Sequence, residues 1–182
     1  MEELSLNILD ITNNSVTAKA TEILITIIEN TKEDTFSIEV SDNGCGMTKE
    51  FLEKVTDPFV TTRTTRKVGL GIPLFKMGAL MTNGSFDIRS EVGKGTTTTA
   101  VFGRNHIDTP PLGDIAFTMI TLITGSPNIE FIYTHKVDDK EFKLDTNEMK
   151  QILQSDDLNN PEVISFIKEF INDNLEEIGA KK

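Results

Sequence analysis

The sequence predicts an α+β fold, in which helical and strand-like segments follow one another without a repeating unit. Three observations carry that expectation. Residues 2–17 repeat apolar side chains at helical spacing. Residues 22–42 hold a β-branched run and an alternating run joined by a polar turn, the pattern of a hairpin with one buried face. A glycine-flanked apolar run then starts a second helix ahead of two further strand-like stretches. With 182 residues and 37% hydrophobic content, the chain can bury a sizeable core as one domain, or as one domain with an appendage.

In the first helix Leu4, Ile8, Ile11 and Ser15, with Leu9 and Val16, form the apolar side. Asp10 and Asn14 are four residues apart and so project from one face about a turn from each other. A carboxylate and an amide oxygen at that spacing can hold a magnesium ion or its waters, and they equally suit the wet side of an amphipathic helix. The hairpin follows as Glu22–Ile28 and Thr35–Asp42, where Phe36, Ile38 and Val40 alternate with polar residues.

The second strand runs directly into Asp42-Asn43-Gly44-Cys45-Gly46-Met47. Two glycines allow a tight turn and close approach of a ligand to the backbone. A carboxylate at the strand end suits an exocyclic amino group such as that of adenine, although an ordinary Asp-Asn-Gly turn reads the same way. Cys45 is expected to act as a small apolar filler between the glycines. Thr48 is a good N-cap for a short helix through Val55.

Residues 57–72 set flexible backbone, cationic side chains and a helix start side by side. Gly69 and Gly71 free the backbone where the run Ile72–Met81 begins, and helix N-termini offer unpaired N–H groups to anions. Arg63, Arg66 and Lys67 add charge, and the hydroxyls of Thr61, Thr62, Thr64 and Thr65 add donors; a solvated basic loop is the plainer reading. Asn83-Gly84 ends the helix, Ser85–Ser90 alternates as a strand, and Gly93-Lys94-Gly95 turns into the threonine-rich strand Thr96–Phe102.

Taken in order, Asp-x-x-x-Asn on a first helix, Asp-Asn-Gly-x-Gly-Met after a hairpin, a Thr/Arg loop ending in Gly-Leu-Gly, and Gly-x-Gly-Thr before a last strand resemble the ATP-binding domains of the gyrase, Hsp90, histidine kinase and MutL superfamily. Residues 10–21 look most like the MutL branch. Asp57-Pro-Phe-Val-Thr-Thr-Arg63 followed by Gly69-Leu-Gly-Ile72 is similar to the catalytic domain of sensor histidine kinases, the branch the chain resembles most.

The resemblance implies a Bergerat-type two-layer α/β sandwich, a mixed sheet with helices on one face, which binds ATP beneath a mobile lid. By the same resemblance Asn14 would bridge to Mg2+, Asp42 would take the adenine amino group, and Gly44, Gly46 and Met47 would floor the pocket. Thr96 would support the adenine. Phe59, Thr62, Arg63, Arg66 and Lys67 would belong to the lid, and Gly69, Leu70 and Gly71 to the phosphate end. Asp10 stands where relatives often carry a water-activating glutamate, one methylene longer, and is the candidate general base. Thr17 stands where histidine kinases often place a phosphate-touching lysine or arginine, with Lys19 as a substitute.

Residues 1–107 form the expected nucleotide domain, and residues 108–182 an acidic extension of helix, hairpin and helices. The first part carries 11 basic and 14 acidic groups and the second 7 and 15. Pro110-Pro111 breaks the chain, Leu112–Ile123 reads as a helix, residues 129–134 and 141–144 as a hairpin, and Asn147–Gln154 and Pro161–Ile178 as helices. The net charge of −11 argues against a general nucleic-acid or anionic-membrane binder. The longest apolar run, Ile115–Thr124, is too short to span a membrane. One cysteine excludes a disulfide framework, and the start lacks a signal-peptide pattern, so a cytoplasmic setting is expected.

His106 and His135, the two histidines, are expected to be structural or solvated. Because only three residues precede Leu4, autophosphorylation within the chain is not expected. The expected function is therefore an ATP·Mg2+-binding kinase acting in trans on a histidine or serine of a separate protein. A nucleotide-driven binding switch with little turnover is a second reading and a weak ATPase, with Asp10 as base, a third; a homodimer is compatible with each.

Overall fold

The computed structural model describes residues 3–57 and 70–181. In chain order its elements are α1 (Leu4–Thr17), β1 (Glu22–Asn30), β2 (Thr35–Asp42), α2 (Lys49–Val55), α3 (Gly71–Met81), β3 (Ser85–Glu91), β4 (Gly95–Gly103), α4 (Ile115–Gly125), β5 (Glu130–Val137), β6 (Lys140–Asp145), α5 (Thr146–Leu153) and α6 (Pro161–Ile178). The six strands form one sheet in the order β3-β4-β2-β1-β5-β6. All neighbours are antiparallel except β1 and β5, which run parallel with Ile25 opposite Tyr133. A parallel neighbour requires a crossover, and α4 lies on it.

Helices cover one face of the sheet, and strand periodicity sends the apolar residues there. Ile23, Ile25, Ile27, Phe36, Ile38, Val40, Ala100, Phe102, Phe131 and Tyr133 are all buried, whereas Leu24 and Ile28 on the opposite face of β1 are exposed. From the helices Leu4, Ile8 and Ile11 of α1, Phe75 of α3, Met119 of α4 and Ile167 and Ile171 of α6 fill the space against them.

The segment after β4 does more than break the chain. The carbonyls of Pro111 and Leu112 accept from the N–H groups of Leu4 and Ser5 at 2.9 and 2.8 Å. They cap a helix whose N-cap residue, Glu3, supplies no side-chain bond. Sheet continuity through β5 and this cap tie residues 108–182 to the first elements of the chain.

Beneath the sheet lies a buried polar cluster centred on Glu29, which has no exposed surface. Its Oε2 accepts from Arg104 Nε at 2.9 Å, and its Oε1 accepts from His135 Nε2 at 3.0 Å and from the Lys181 backbone N–H at 2.8 Å. With Nε2 donating to the carboxylate, His135 Nδ1 is left to accept from the Tyr133 hydroxyl, 2.8 Å away. The Lys181 side chain returns to the Arg104 carbonyl. Burial pushes the Glu29 carboxyl up, but the hydrogen bonds from His135, the Lys181 N–H and Arg104 outweigh it and hold it below the usual value. Burial, and then the Glu29 charge, push the Tyr133 hydroxyl well above its ordinary range, so it remains a donor.

A carboxyl depressed in the folded state contributes stability above its unfolded pKa of about 4.3 and loses it as pH falls through the folded value. Glu29→Gln is therefore expected to cost about 3 kcal/mol at neutral pH, and the gap to wild type to narrow in acid. Urea denaturation at neutral pH and near pH 3 measures both.

Candidate functional site

Asp42 is the last residue of β2, paired in register with Ile23 of β1 and Thr96 of β4. Directly opposed residues in an antiparallel pair share a face, so the Asp42 and Thr96 side chains stand together on the helix-covered side. Both oxygens of Asp42 are engaged. Oδ1 accepts from the Gly44 N–H at 2.8 Å, and Oδ2 from the hydroxyl of Ser15 on α1 at 2.5 Å.

Thr96 is oriented by a neighbour the sequence analysis did not single out. Ser90 Oγ donates to the Gly95 carbonyl at 3.0 Å and accepts from the Met47 N–H at 2.8 Å. Its second acceptor position faces Thr96 Oγ1, also at 2.8 Å. That bookkeeping makes Thr96 the donor to Ser90 and leaves its own lone pairs to accept. The only sequence clue to Ser90 was its place on the inward phase of β3.

The turn after Asp42 is pinned from three sides. Asn43 Oδ1 accepts from the N–H groups of Thr21 and Glu22 at 2.9 and 3.0 Å, the Cys45 N–H donates to the Ala18 carbonyl at 2.9 Å, and the Gly93 N–H donates to the Cys45 carbonyl at 2.8 Å. Gly46 adopts φ +67°, and a Cβ there would lie 2.0 Å from the Glu91 carbonyl oxygen. Cys45 does not act as a filler: its side chain is exposed, and the buried position in the turn is Gly44, against Ala18.

The opposite end of the site lies where α3 begins. Gly71 approaches α1 so closely that an added Cβ would stand 3.1 Å from Asp10 Cβ. The first turn of α3, with its N–H groups unpaired by the helix, thus abuts the face of α1 that carries Asp10 and Asn14. Asp10 is exposed and Asn14 half-buried. Leu70 occupies the N-cap position of α3 and is exposed. Lys19, at φ +59° and exposed, stands just past the end of α1 beside the Gly44 turn. Phe59, Thr62, Arg63, Arg66, Lys67 and Gly69 lie outside the described residues.

The structure therefore brings Asp42, Gly44 and Thr96 together at one end and Asp10, Gly71 and Leu70 at the other, with Asn14 on α1 between them. Ser15 and Ser90 join the first group. Among the described residues no group of three or more His, Cys, Asp or Glu could hold a metal alone. Magnesium, which is commonly held by one or two protein oxygens with phosphates and waters completing its shell, needs no such group.

A one-sided mixed sheet whose strand-end carboxylate faces α1, with a glycine-started helix against the same α1, has the α+β arrangement of the Bergerat fold. Residues 1–106 match the family described as histidine kinase-, DNA gyrase B-, and HSP90-like ATPases, and the chain belongs to that family. It is similar to the Sensor protein SrrB of Staphylococcus aureus, strain NCTC 8325 / PS 47, at 39% identity over 102 residues, 53% of this chain and 17% of that protein. The same figures hold for SrrB of strain COL. The aligned stretch is thus a small part of those sensor proteins.

Among solved structures, the N-terminal domain of a DNA repair protein matches with a TM-score of 0.52 at 14% identity, over 80% of this chain and 53% of that one. That likeness concerns the fold. The Aquifex aeolicus MutL ATPase domain complexed with ADP gives a TM-score of 0.49 at 15% identity, over 85% of this chain and 70% of that one. No helix among the described residues is long and apolar enough to cross a membrane.

Gly46→Ala tests the turn that carries Asp42. With positive φ and the Glu91 carbonyl in the way, the substitution is expected to destabilise the protein by about 3 kcal/mol, read as a lower urea midpoint.

Proposed function

We propose that the protein binds ATP with Mg2+ and transfers its terminal phosphoryl group to a separate protein. The observation that carries this reading is the two-ended site on α1: an acceptor-rich end at Asp42 and Thr96, and an anion-accepting end at the start of α3 beside Asp10 and Asn14. The ends suit, in turn, the amino edge of adenine and a polyphosphate. Similarity to sensor proteins supports a signalling role.

Residues 1–107 supply the nucleotide chemistry, and residues 108–182 form the acidic extension. Asn14 would hold the magnesium, which supplies charge neutralisation for the phosphates. By their sequence Arg63, Arg66 and Lys67 would bring positive charge to the phosphates, with Phe59, Thr62 and Gly69 in the same segment and Lys19 as a further cation. Gly46 and Met47 line the base end. Asp10 is the candidate base toward water or an acceptor hydroxyl, and its short side chain favours transfer over hydrolysis. A cytoplasmic setting, where ATP is plentiful, suits this chemistry.

The binding-switch reading has its own support. Leu70, Leu74, Met77 and Met81 recur at spacings of four, three and four residues and are all exposed, so α3 presents an apolar stripe that starts at the phosphate end. A partner seated there would sense whether nucleotide is bound.

Incubation with γ-labelled ATP and lysate separates the readings. Label on a specific protein supports transfer; tight ATP binding with no labelled protein supports the switch. Asn14→Ala is expected to weaken magnesium-dependent ATP binding at least about tenfold while leaving the melting temperature unchanged, because Asn14 is only half-buried. Titration with a fluorescent ATP analogue, with and without magnesium, measures it.

A further inference from the structure

We propose that Ser15 sets the choice of adenine over guanine by occupying one oxygen of Asp42. The inference rests on the reading of Asp42 as the base-recognising group and adds a residue to it.

A carboxylate has two oxygens and about four lone-pair positions. When both oxygens are free and side by side they form a fork that accepts in parallel from two N–H groups. Guanine offers such a pair, N1–H and the 2-amino group. Adenine offers its 6-amino group beside an N1 that has no hydrogen, so it needs one acceptor rather than a fork. A free aspartate at the end of a strand therefore has no intrinsic preference for adenine and can turn its fork to guanine.

Asp42 is not free. Ser15 Oγ donates to Oδ2 at 2.5 Å and the Gly44 N–H donates to Oδ1 at 2.8 Å, so each oxygen holds one internal donor and the carboxylate plane is fixed from both sides. Ser15 is 3% exposed, held in the packed face of α1, and cannot swing aside without opening the core. The register places Thr96 directly opposite Asp42, where its hydroxyl, committed to Ser90 as a donor, adds an acceptor rather than a second donor. What the pocket offers a base is a carboxylate held in one plane, with one lone-pair position left on each oxygen, and a hydroxyl acceptor beside it. Guanine would have to align its two donors with a carboxylate that cannot turn its fork to meet them, or bring its 6-oxo group against acceptors, and a buried polar group left unpaired is what makes such discrimination strong.

Ser15 is thus a positioning residue that acts through Asp42. Removing its hydroxyl leaves Oδ2 without its internal donor and the carboxylate free to rotate on the side facing α1. Hydrogen bonds to charged groups are individually worth enough to shift a binding ratio by about tenfold or more.

The test measures ATP and GTP affinities by competition against a fluorescent ATP analogue for wild type, Ser15→Ala and Ser15→Thr, with a thermal melt of each. Wild type is expected to prefer ATP, and Ser15→Ala to lose at least about tenfold of that preference, through tighter GTP as well as weaker ATP. Ser15→Thr, which keeps the hydroxyl, is expected to restore it. An Ala variant that melts like wild type and keeps the wild-type ATP-to-GTP ratio overturns the role of Ser15 while leaving Asp42 as the base contact. An Ala variant that loses both nucleotides equally overturns it too, since a merely structural role would do that. Wild type that binds ATP and GTP alike overturns the reading of Asp42 itself, and the role of Ser15 with it.

Discussion

The buried Glu29 carboxylate is the constraint on which the assembly depends. A charge without solvent contact is tolerated only when its hydrogen-bonding capacity is met, and here the donors come from three separate places: Arg104 at the end of β4, His135 in β5, and the backbone at Lys181 beyond α6. Glu29 lies near the end of β1, the strand that joins the β2–β4–β3 half of the sheet to β5 and β6. A residue that must be satisfied from both halves fixes how they meet.

At the end of the neighbouring strand β2 a second carboxylate, the half-buried Asp42, is held by the same logic. Glu29 is enclosed by donors and serves the fold. Asp42 receives two internal donors and keeps part of its accepting capacity, which is what the proposed contact to a base would use. The helix between the two ends of the site, α1, is the common reference. It contributes Ser15 to Asp42 and Asp10 to the start of α3, and it takes its own N-terminal cap from Pro111 and Leu112. The extension thereby holds the element along which the nucleotide would lie.

The hairpin, the helices and the alternating faces were legible in the sequence, because Phe36, Ile38 and Val40 or Val163, Ile167, Phe170 and Ile171 repeat at the period of their element. The pairing of Asp42 with Thr96 could be expected only from the order of motifs. Three things were not legible. Parallel pairing of β5 with β1 has no local signal, since it joins segments separated by more than a hundred residues. Ser15 sat at an apolar position of α1 and looked like a small core residue; its role comes from the end of β2, which the helix pattern cannot reveal. Glu29 falls just past the expected end of the first strand at Ile28 and carries no local sign of burial, because the donors that satisfy it lie in three other parts of the chain.

The contact between Glu29 and the Lys181 N–H spans 152 residues of chain. Until that late segment docks, β1 and β2 can pair and α1 can form, but the carboxylate beneath them keeps an open acceptor in a region that will exclude water. Contacts of such sequence separation are paid for in loop entropy before they are rewarded, so they close late in folding. Loss of the Lys181 contact would therefore leave an unpaired acceptor at the junction of the two halves of the sheet, a cost felt far from α6 along the chain.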